Sequence, residues 1–246
     1  MSLGIKMVVF DLDGTLLRND KTISEYTLGV LRQCKVAGIK IVYATARGRS
    51  AREIMPSALF DGEITMNGAN IFGAEGFVHT CYISHETARP FLLALNRADI
   101  HVVAETNDAH YSNFIAKGKK FVDFHHHTID SGKIFVWIRN SEDIEIIKQH
   151  IPDELYLQIS HNDMAMIMHK NAQKSKAVSV LANKWGVKQC EIIAFGNDVN
   201  DIDLLTYAKL GIATENALDK VKEISGYICG SNNEDGVAKW LHQHIL

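Results

Sequence analysis

The chain has 246 residues, a formal net charge of −3 and 46% hydrophobic residues. This length can bury a large core in one or two domains, and the slightly acidic balance offers no basic surface for nucleic acid. Apolar runs are too short to span a membrane, and the first residues lack a signal-peptide pattern. The four cysteines have neither paired nor metal-like spacing, which indicates a reducing cytoplasm.

The first predicted strand, Met7–Phe10, runs directly into two carboxylates. Its apolar residues are typical of a buried parallel strand, and Gly14 allows the turn that follows. Because residues i and i+2 of a strand share a face, we expect Asp11 and Asp13 to point the same way. Two like charges this close are costly unless a cation separates them or one carboxylate holds a proton.

Such a pair suits the hydrolysis of a phosphate monoester. One carboxylate attacks phosphorus to form an aspartyl-phosphate, and its neighbour protonates the leaving oxygen and later deprotonates the attacking water. A divalent metal ion held by both Asp11 and Asp13 offsets the phosphate charge. The alternative is an acidic turn without chemistry, because Asp and Gly are common in turns.

Residues 8–17, with the sequence VVFDLDGTLL, resemble the first motif of the haloacid-dehalogenase (HAD) superfamily of phosphatases. The resemblance implies that a Ser or Thr ends the next core strand, that a Lys comes much later, and that an acidic cluster follows a further strand. All three are present in order. We therefore take Asp11 as the nucleophile and Asp13 as the general acid and base.

The second predicted strand, 39–44, ends in Thr45. Its hydroxyl is a candidate donor to a phosphate oxygen, and the backbone amide after it is a second donor. The alternative is that Thr45 merely caps a helix over 47–55. Arg47 stands where the resembled subgroup has the arginine of Thr-Gly-Arg, with Ala46 in place of the glycine, so we expect Arg47 to bind substrate. The same resemblance places Asn67, after a strand at 63–66, on the substrate side.

Residues 1–80 and 171–246 alternate strand and helix, which predicts an α/β core with a doubly wound, Rossmann-like parallel sheet. Residues 81–170 differ and predict an inserted α+β domain. In the resembled family this insertion is a cap that closes over the active site, excludes water and selects the substrate. Within it we expect helices at 86–97 and 142–150 and strands near 100–105, 109–113, 133–139, 154–160 and 164–169.

A helix beginning near residue 174 carries the candidate lysine. The pattern of the resembled family is Lys, small residue, any residue, Ala, aliphatic, and the residues from Lys174 to Val178 match it. We expect Lys174 to neutralise the nucleophile and to hold a phosphate oxygen. Lys176 competes for this role, although the pattern favours a solvated position for it, and a surface lysine at a helix start is the simpler alternative.

The strand predicted at 191–195 is followed by the sequence Gly-Asn-Asp-Val-Asn-Asp, residues 196–201. Oxygen ligands at a strand end suit Mg²⁺, which keeps several waters. The resembled pattern is Gly-Asp-x-x-Asn-Asp, so Asn197 replaces the principal metal-binding aspartate. Asn197 can coordinate through its carbonyl oxygen, or Asp198 can take the role. We expect Asp201 near the metal or Lys174, and Asn200 facing the phosphate.

Across the chain the resemblance is to the Cof-type subgroup (HAD subfamily IIB). It implies a Mg²⁺-dependent, cytoplasmic phosphatase of small phosphorylated metabolites, such as sugar phosphates, acting as a monomer or weak homodimer. A phosphomutase, which returns the phosphoryl group to the sugar, is one alternative. A catalytically silent protein that binds phosphate ligands is the other, because of Asn197.

Overall fold

The computed structural model describes residues 4–126, 128–160 and 163–246. It divides into two compact units: the first runs to His79 and resumes over Gln173–Leu246, and the second is Thr80–Ala172. None of the helices in the described ranges is both long enough and apolar enough to cross a membrane.

In chain order, the first unit begins with β1 (Met7–Phe10), α1 (Glu25–Val36), β2 (Lys40–Ala44), α2 (Ser50–Ile54), β3 (Gly62–Thr65), β4 (Asn70–Gly73) and β5 (Gly76–Thr80). The second unit contains α3 (His85–Arg97), β6 (Val102–Glu105), β7 (His110–Ser112), β8 (Lys120–Phe121), β9 (Lys133–Trp137), α4 (Ser141–His150), β10 (Leu155–Ser160) and β11 (Met164–His169). The first unit resumes with α5 (Lys174–Trp185), β12 (Ile192–Gly196), α6 (Ile202–Tyr207), β13 (Leu210–Thr214), α7 (Asp219–Ile224), β14 (Tyr227–Cys229) and α8 (Gly236–His244).

An eight-stranded sheet runs through the first unit in the order β14-β13-β12-β1-β2-β3-β4-β5. The strands from β14 to β3 are parallel, which confirms the predicted doubly wound α/β core. Beyond β3 the sheet continues with β4, which is antiparallel to it, an extension that the alternation of strand and helix does not predict. The carboxyl ends of β1, β2 and β12 lie side by side, and each leads into a predicted site segment.

Helices cover both faces of this sheet. Met7 and Val9 of β1 pack with the layer that includes α5, whereas Val8 and Phe10 pack with the layer that includes α1 and α8. All four residues of β1 are fully buried, which explains their unbroken apolar sequence. Helix α5 presents apolar residues at helical spacing and ends at Gly186, whose φ is +65°. Lys174, its first residue, is thereby fixed against the sheet.

The second unit has its own sheet, in the order β10-β11-β9-β6-β7-β8. Helices α3 and α4 contribute Phe91, Leu95 and Ile147 to a core shared with Val102 and Val136 of the sheet. Most of its pairs are antiparallel, so the unit is of the predicted α+β type. The short parallel strand β8 at its edge was not predicted.

Candidate active site

Asp11 lies immediately after β1, and its backbone amide donates to the carbonyl oxygen of Phe195 on β12 at 2.9 Å. The strand ends at Phe10, and Asp13 lies in a turn that contains Gly14, with a φ of +79°. The shared-face argument treats both aspartates as strand residues and therefore does not hold for Asp13. The turn itself brings Asp13 close to Asp11, so its charge adds to the larger effects of burial and of Asp201 in raising the pKa of Asp11.

Lys174 lies between two buried carboxylates. Its Nζ donates to Oδ1 of Asp11 and to Oδ1 of Asp201, both at 2.6 Å, and the exposed fractions of the three side chains are 0%, 7% and 0% in the order Lys174, Asp11, Asp201. Burial acts to lower the pKa of Lys174, but the two carboxylates raise it above its ordinary value. Lys174 is therefore a fixed cation.

Asp11 differs from its partner in this cluster. Burial, followed by the charge of Asp201, raises the pKa of Asp11 to about 7, although Lys174 opposes the change. Because one ammonium group serves two carboxylates, the cluster carries a net negative charge. Oδ2 of Asp11 accepts no hydrogen bond from the described residues. This oxygen is the one that can react or bind a cation.

Asp13 is held by two cations. Arg47 makes a two-pronged salt bridge, with Nε 2.5 Å from Oδ2 and Nη2 2.7 Å from Oδ1. Nζ of Lys21 lies 2.8 Å from the same Oδ1. Burial acts to raise the pKa of Asp13, but the hydrogen bonds and charges of Arg47 and Lys21 outweigh it and hold the pKa at about 2. In this arrangement Asp13 is ionised at neutral pH.

Three residues predicted to contact substrate, which follow β2, β3 and β12, are linked by hydrogen bonds. Thr45 is 1% exposed, and its hydroxyl accepts a hydrogen bond from the amide of Arg47 at 3.1 Å. The amide of Asn67 donates to the carbonyl of Thr45 at 2.9 Å, and Asn67 Oδ1 accepts from the side chain of Asn200 at 3.1 Å. Helix α2 begins only at Ser50, so Thr45 does not cap it.

The segment after β12 folds around Asp201. Its Oδ2 accepts the amides of Asn197 at 2.8 Å and Asp198 at 3.0 Å. A Cβ at Gly196 would lie 2.5 Å from Cβ of Asp201, so a residue without a side chain is needed there. Asp198 accepts the amide of Val199 at 2.6 Å. Since both oxygens of Asp201 are engaged, the structure places this residue with Lys174.

Asn197 faces the turn after β1. Its Oδ1 accepts the hydroxyl of Thr15 at 2.8 Å. Its Nδ2 lies only 2.6 Å from the position of a Cβ on Gly14, so the amide is packed closely against that turn. The segment after β12 is thus joined directly to the turn after β1.

The donors that these residues offer to a metal are all oxygens: the carboxylates of Asp11, Asp13 and Asp198 and the amide oxygen of Asn197. In the described part of the chain, no group of three or more His, Cys, Asp and Glu side chains is arranged to hold a metal ion. A metal here needs amide, backbone or water oxygens to complete its shell. Mg²⁺ accepts such a set, because it keeps several waters and uses few carboxylates.

Three residues of this region have contacts that the sequence does not predict. Lys21 binds Asp13, Thr15 binds Asn197, and Asp203 accepts the amide of Ser175 at 2.8 Å at the start of α5. Asp203 belongs to the acidic segment after β12, so its position could have suggested a role. Lys21 lies in a loop without any pattern.

Comparison with known proteins gives consistent results. The family model described as haloacid dehalogenase-like hydrolase matches residues 8–241. The 5-amino-6-(5-phospho-D-ribitylamino)uracil phosphatase YitU of Bacillus subtilis is 28% identical in an alignment that covers 97% of this chain and 97% of that protein.

Two solved structures share the fold. BT1666 from Bacteroides thetaiotaomicron, a phosphatase of the HAD superfamily, has a TM-score of 0.88 at 24% identity, covering 99% of this chain and 96% of its own. The HAD subclass IIB sugar phosphatase BT4131 has a TM-score of 0.84 at 24% identity, covering 98% of this chain and 100% of its own. The matched residues 8–241 include every segment that forms the site. The chain therefore belongs to the haloacid dehalogenase-like hydrolases, in their Cof-type subgroup, together with relatives that are named phosphatases.

Proposed function

We propose that the chain is a magnesium-dependent phosphatase that hydrolyses small phosphorylated metabolites through an aspartyl-phosphate. The observation that carries the proposal is the buried carboxylate of Asp11. Lys174 holds its Oδ1 at 2.6 Å, and its Oδ2 accepts no hydrogen bond from the described residues. A carboxylate fixed in this way presents one oxygen as a nucleophile.

The reaction takes two steps. In the first, Oδ2 of Asp11 forms a bond to phosphorus, the bond between phosphorus and the ester oxygen breaks, and Asp13 gives its proton to that oxygen. In the second, Asp13 takes a proton from water as the water oxygen bonds to phosphorus, and the bond between phosphorus and Asp11 breaks. Phosphate leaves, and both carboxyl groups return to their starting states. Lys174 stabilises negative charge throughout.

Asp13 needs a proton before the first step, although Arg47 and Lys21 hold its pKa at about 2. A bound phosphate competes with Asp13 for the guanidinium of Arg47, since both are anions that suit a two-pronged contact. When Arg47 turns to the phosphate, Asp13 loses its strongest partner and its pKa rises. Substrate binding thereby prepares the acid.

The phosphoryl oxygens have several donors available. We assign the Thr45 hydroxyl, the Lys174 ammonium group and the Arg47 guanidinium to them. The linked amides of Asn67 and Asn200, 3.1 Å apart, form a further polar group on this side of the sheet. Fixed donors of this kind stabilise the charge that develops during transfer.

The ligands that we propose for Mg²⁺ are Asp11, Asp13, Asn197 and Asp198, with Asp13 contributing its backbone carbonyl oxygen so that its carboxyl group stays available for proton transfer. Asp201, the other residue that the sequence suggested, is assigned instead to Lys174, because it is fully buried and is held there by Lys174 and two backbone amides. When bound, the ion supplies positive charge that offsets and orients the phosphate.

For the substrate we propose phosphate esters of sugars or of related polyhydroxy chains. The names of two relatives support this class, since one acts on a phosphoribitylamino compound and another is a sugar phosphatase. We take residues 81–170 as the cap that selects the leaving group, with residues 1–80 and 171–246 as the core. A cavity of about 360 Å³ within the second unit supports a recognition role; its lining includes His110, Lys117, Phe135 and Trp137.

We further propose that the protein works in the cytoplasm as a monomer or weak homodimer. The four cysteines, all among the described residues, are free thiols. A reducing compartment agrees with this state.

The test is the release of inorganic phosphate from a panel of sugar phosphates and other phosphorylated metabolites, with magnesium and with chelator. The Asp11→Asn variant is the matched control, because it keeps the shape of the side chain and removes the nucleophile. Turnover that disappears in the variant and with chelator supports the proposal. Phosphate trapped on the native protein by acid quenching, and absent from the variant, would identify the intermediate.

One observation favours a second candidate, a phosphate-binding protein without turnover. The amide of Asn197 is committed to Thr15 and adds no negative charge for a metal. Binding of phosphate without turnover on any ester would support this candidate. Gain of turnover in Asn197→Asp would then show that the missing carboxylate is the cause.

A further inference from the structure

The loop after the first motif is a closed turn that carries Lys21. The amide of Arg18 donates to the carbonyl of Thr22, and the amide of Lys21 donates to the carbonyl of Arg18, both at 2.9 Å. Asp20 Oδ1 accepts the amide of Thr22 at 3.0 Å and its hydroxyl at 2.6 Å. Lys21 itself has a φ of +67°, which is unfavourable for a residue with a side chain. The turn maintains this conformation and thereby sets the direction of the lysine.

A distant segment fixes the same loop to the core. Nη2 of Arg18 donates to Oδ2 of Asp235 at 2.9 Å, and the amide of Asn19 donates to Oδ1 of Asn233 at 3.0 Å. The side chain of Asn232 adds a hydrogen bond to Asn19 Oδ1 at 3.0 Å. The polar run at 232–235 therefore positions the loop that presents Lys21.

In the arrangement that the structure shows, Lys21 is a second cation on Asp13. Arg47 already binds both oxygens of that carboxylate. The side chain of Lys21 is 50% exposed, and salt bridges of this kind add little to stability. Two cations on one carboxylate leave a net positive charge, open to solvent, beside the proposed nucleophile.

We propose that Lys21 is a substrate-binding residue whose ammonium group contacts an anionic oxygen of the phosphorylated substrate. The proposal rests on the phosphatase function proposed above. An ammonium group has three donors, so Lys21 can keep its bond to Asp13 while it donates to the substrate. The anionic oxygen belongs either to the phosphoryl group or to a second anionic group of the substrate near the ester bond.

The experiment compares Lys21→Met and Lys21→Arg with the native protein in buffer containing magnesium chloride. The matched control is Lys6→Met, because Lys6 makes a salt bridge of the same 2.8 Å length with Glu191 and is 59% exposed. Calorimetry measures the binding of inorganic phosphate and of 3-phosphoglycerate. Kinetics measure kcat and KM for glycerol 3-phosphate and for 3-phosphoglycerate, which differ by one carboxylate.

Loss of the ammonium group should weaken ligand binding by about 5- to 30-fold in Lys21→Met, with recovery in Lys21→Arg. Weaker binding of inorganic phosphate assigns Lys21 to the phosphoryl group. Weaker binding of 3-phosphoglycerate alone assigns it to the second anion. Binding of both ligands within twofold of the native value overturns the proposal, even if kcat falls.

Calorimetry does not require turnover, so the two proposals can fail separately. If the native protein hydrolyses no ester but Lys21→Met binds phosphate or 3-phosphoglycerate more weakly, the phosphatase proposal fails and the anion contact stands. If hydrolysis occurs and neither ligand binds more weakly to Lys21→Met, only the role of Lys21 fails.

Discussion

Replacing Lys174 by methionine tests the buried cluster most directly. Methionine fills a similar volume but removes the ammonium group, which leaves the carboxylates of Asp11 and Asp201 facing each other without a cation. Removing one partner of a buried ion pair lowers the free energy of unfolding by about 3–5 kcal/mol. Contacts of 2.6 Å and an exposed fraction of 0% for the Lys174 side chain place this site within that class.

Removing one of the two carboxylate charges shows whether charge repulsion, and not a packing defect, causes the loss in the free energy of unfolding. In Lys174→Met, we expect the added Asp201→Asn substitution to restore about 1 kcal/mol or more, a coupling typical of residues in direct contact. The deficit should also shrink on acidification. Burial and the charge of Asp201 raise the pKa of Asp11 to about 7 even against the opposing effect of Lys174, so loss of Lys174 should raise it further. The folded variant then binds a proton at Asp11 more tightly than the unfolded chain does and gains stability as the pH falls towards 4.

The assay is urea unfolding followed by far-ultraviolet circular dichroism at pH 7.5 and pH 5, with chelator present. Lys6→Met is again the control, because its exposed salt bridge should contribute far less. A loss in Lys174→Met no larger than that in Lys6→Met would refute the reasoning. Failure of Asp201→Asn to restore any stability would contradict the electrostatic cause.

Three further predictions concern neighbouring positions. Because the pKa of Asp11 is raised to about 7, its ionisation destabilises the fold as the pH rises from about 4 through 7. Without metal, Asp11→Asn should therefore have a higher urea midpoint than the native protein at pH 8.5 and a similar one at pH 4. A midpoint below that of the native protein at pH 8.5 would contradict this. Gly14→Ala should lower the free energy of unfolding by about 1–3 kcal/mol, because the φ of +79° strains alanine and its Cβ would lie 2.6 Å from Asn197. In urea unfolding, an added Asn197→Ala should recover only the part of this loss that comes from the steric clash. Thr45→Val should reduce kcat/KM by about 10- to 100-fold, because one hydrogen-bond donor to the phosphate is lost, while Thr45→Ser should keep most of the native value. Equal rates of Thr45→Val and the native protein in steady-state assays would show that Thr45 does not bind the phosphate.

Much of the core was predictable because its strands are buried on both faces. The sequence of Met7–Phe10 is apolar throughout, and the structure buries every residue of it. The strands Asn70–Gly73 and Gly76–Thr80 are half-buried or exposed for much of their length and contain glycine, so no comparable pattern marks them. The helix expected at 47–55 is shortened to Ser50–Ile54, because the carbonyl oxygen of Arg47 accepts the amide of Met66 instead of an amide of the helix.

The site was predictable as a set of segments but not as a set of bonds. The motifs identify Asp11, Lys174 and Asp201, yet only the structure shows one ammonium group shared between two carboxylates. Asp201 was expected near either the metal or Lys174, and the outcome depends on which groups bind its carboxylate oxygens. Backbone amides of its own turn bind one of these oxygens. Lys21 could not be found, because its direction is set by a positive φ that follows from the surrounding hydrogen bonds.

The place of β1 in the sheet has a consequence for biosynthesis. One neighbour, β2, follows soon after it, but the other pairs Met7 with Ile192. At a translation rate of about 5–20 residues per second, the ribosome needs roughly 10–40 s to make the intervening chain. During that interval a fully apolar strand has an unpaired edge, the kind of surface that aggregates or recruits chaperones. Since Lys174 and Asp201 are also made late, a nascent chain that stops before β12 carries Asp11 without its finished surroundings.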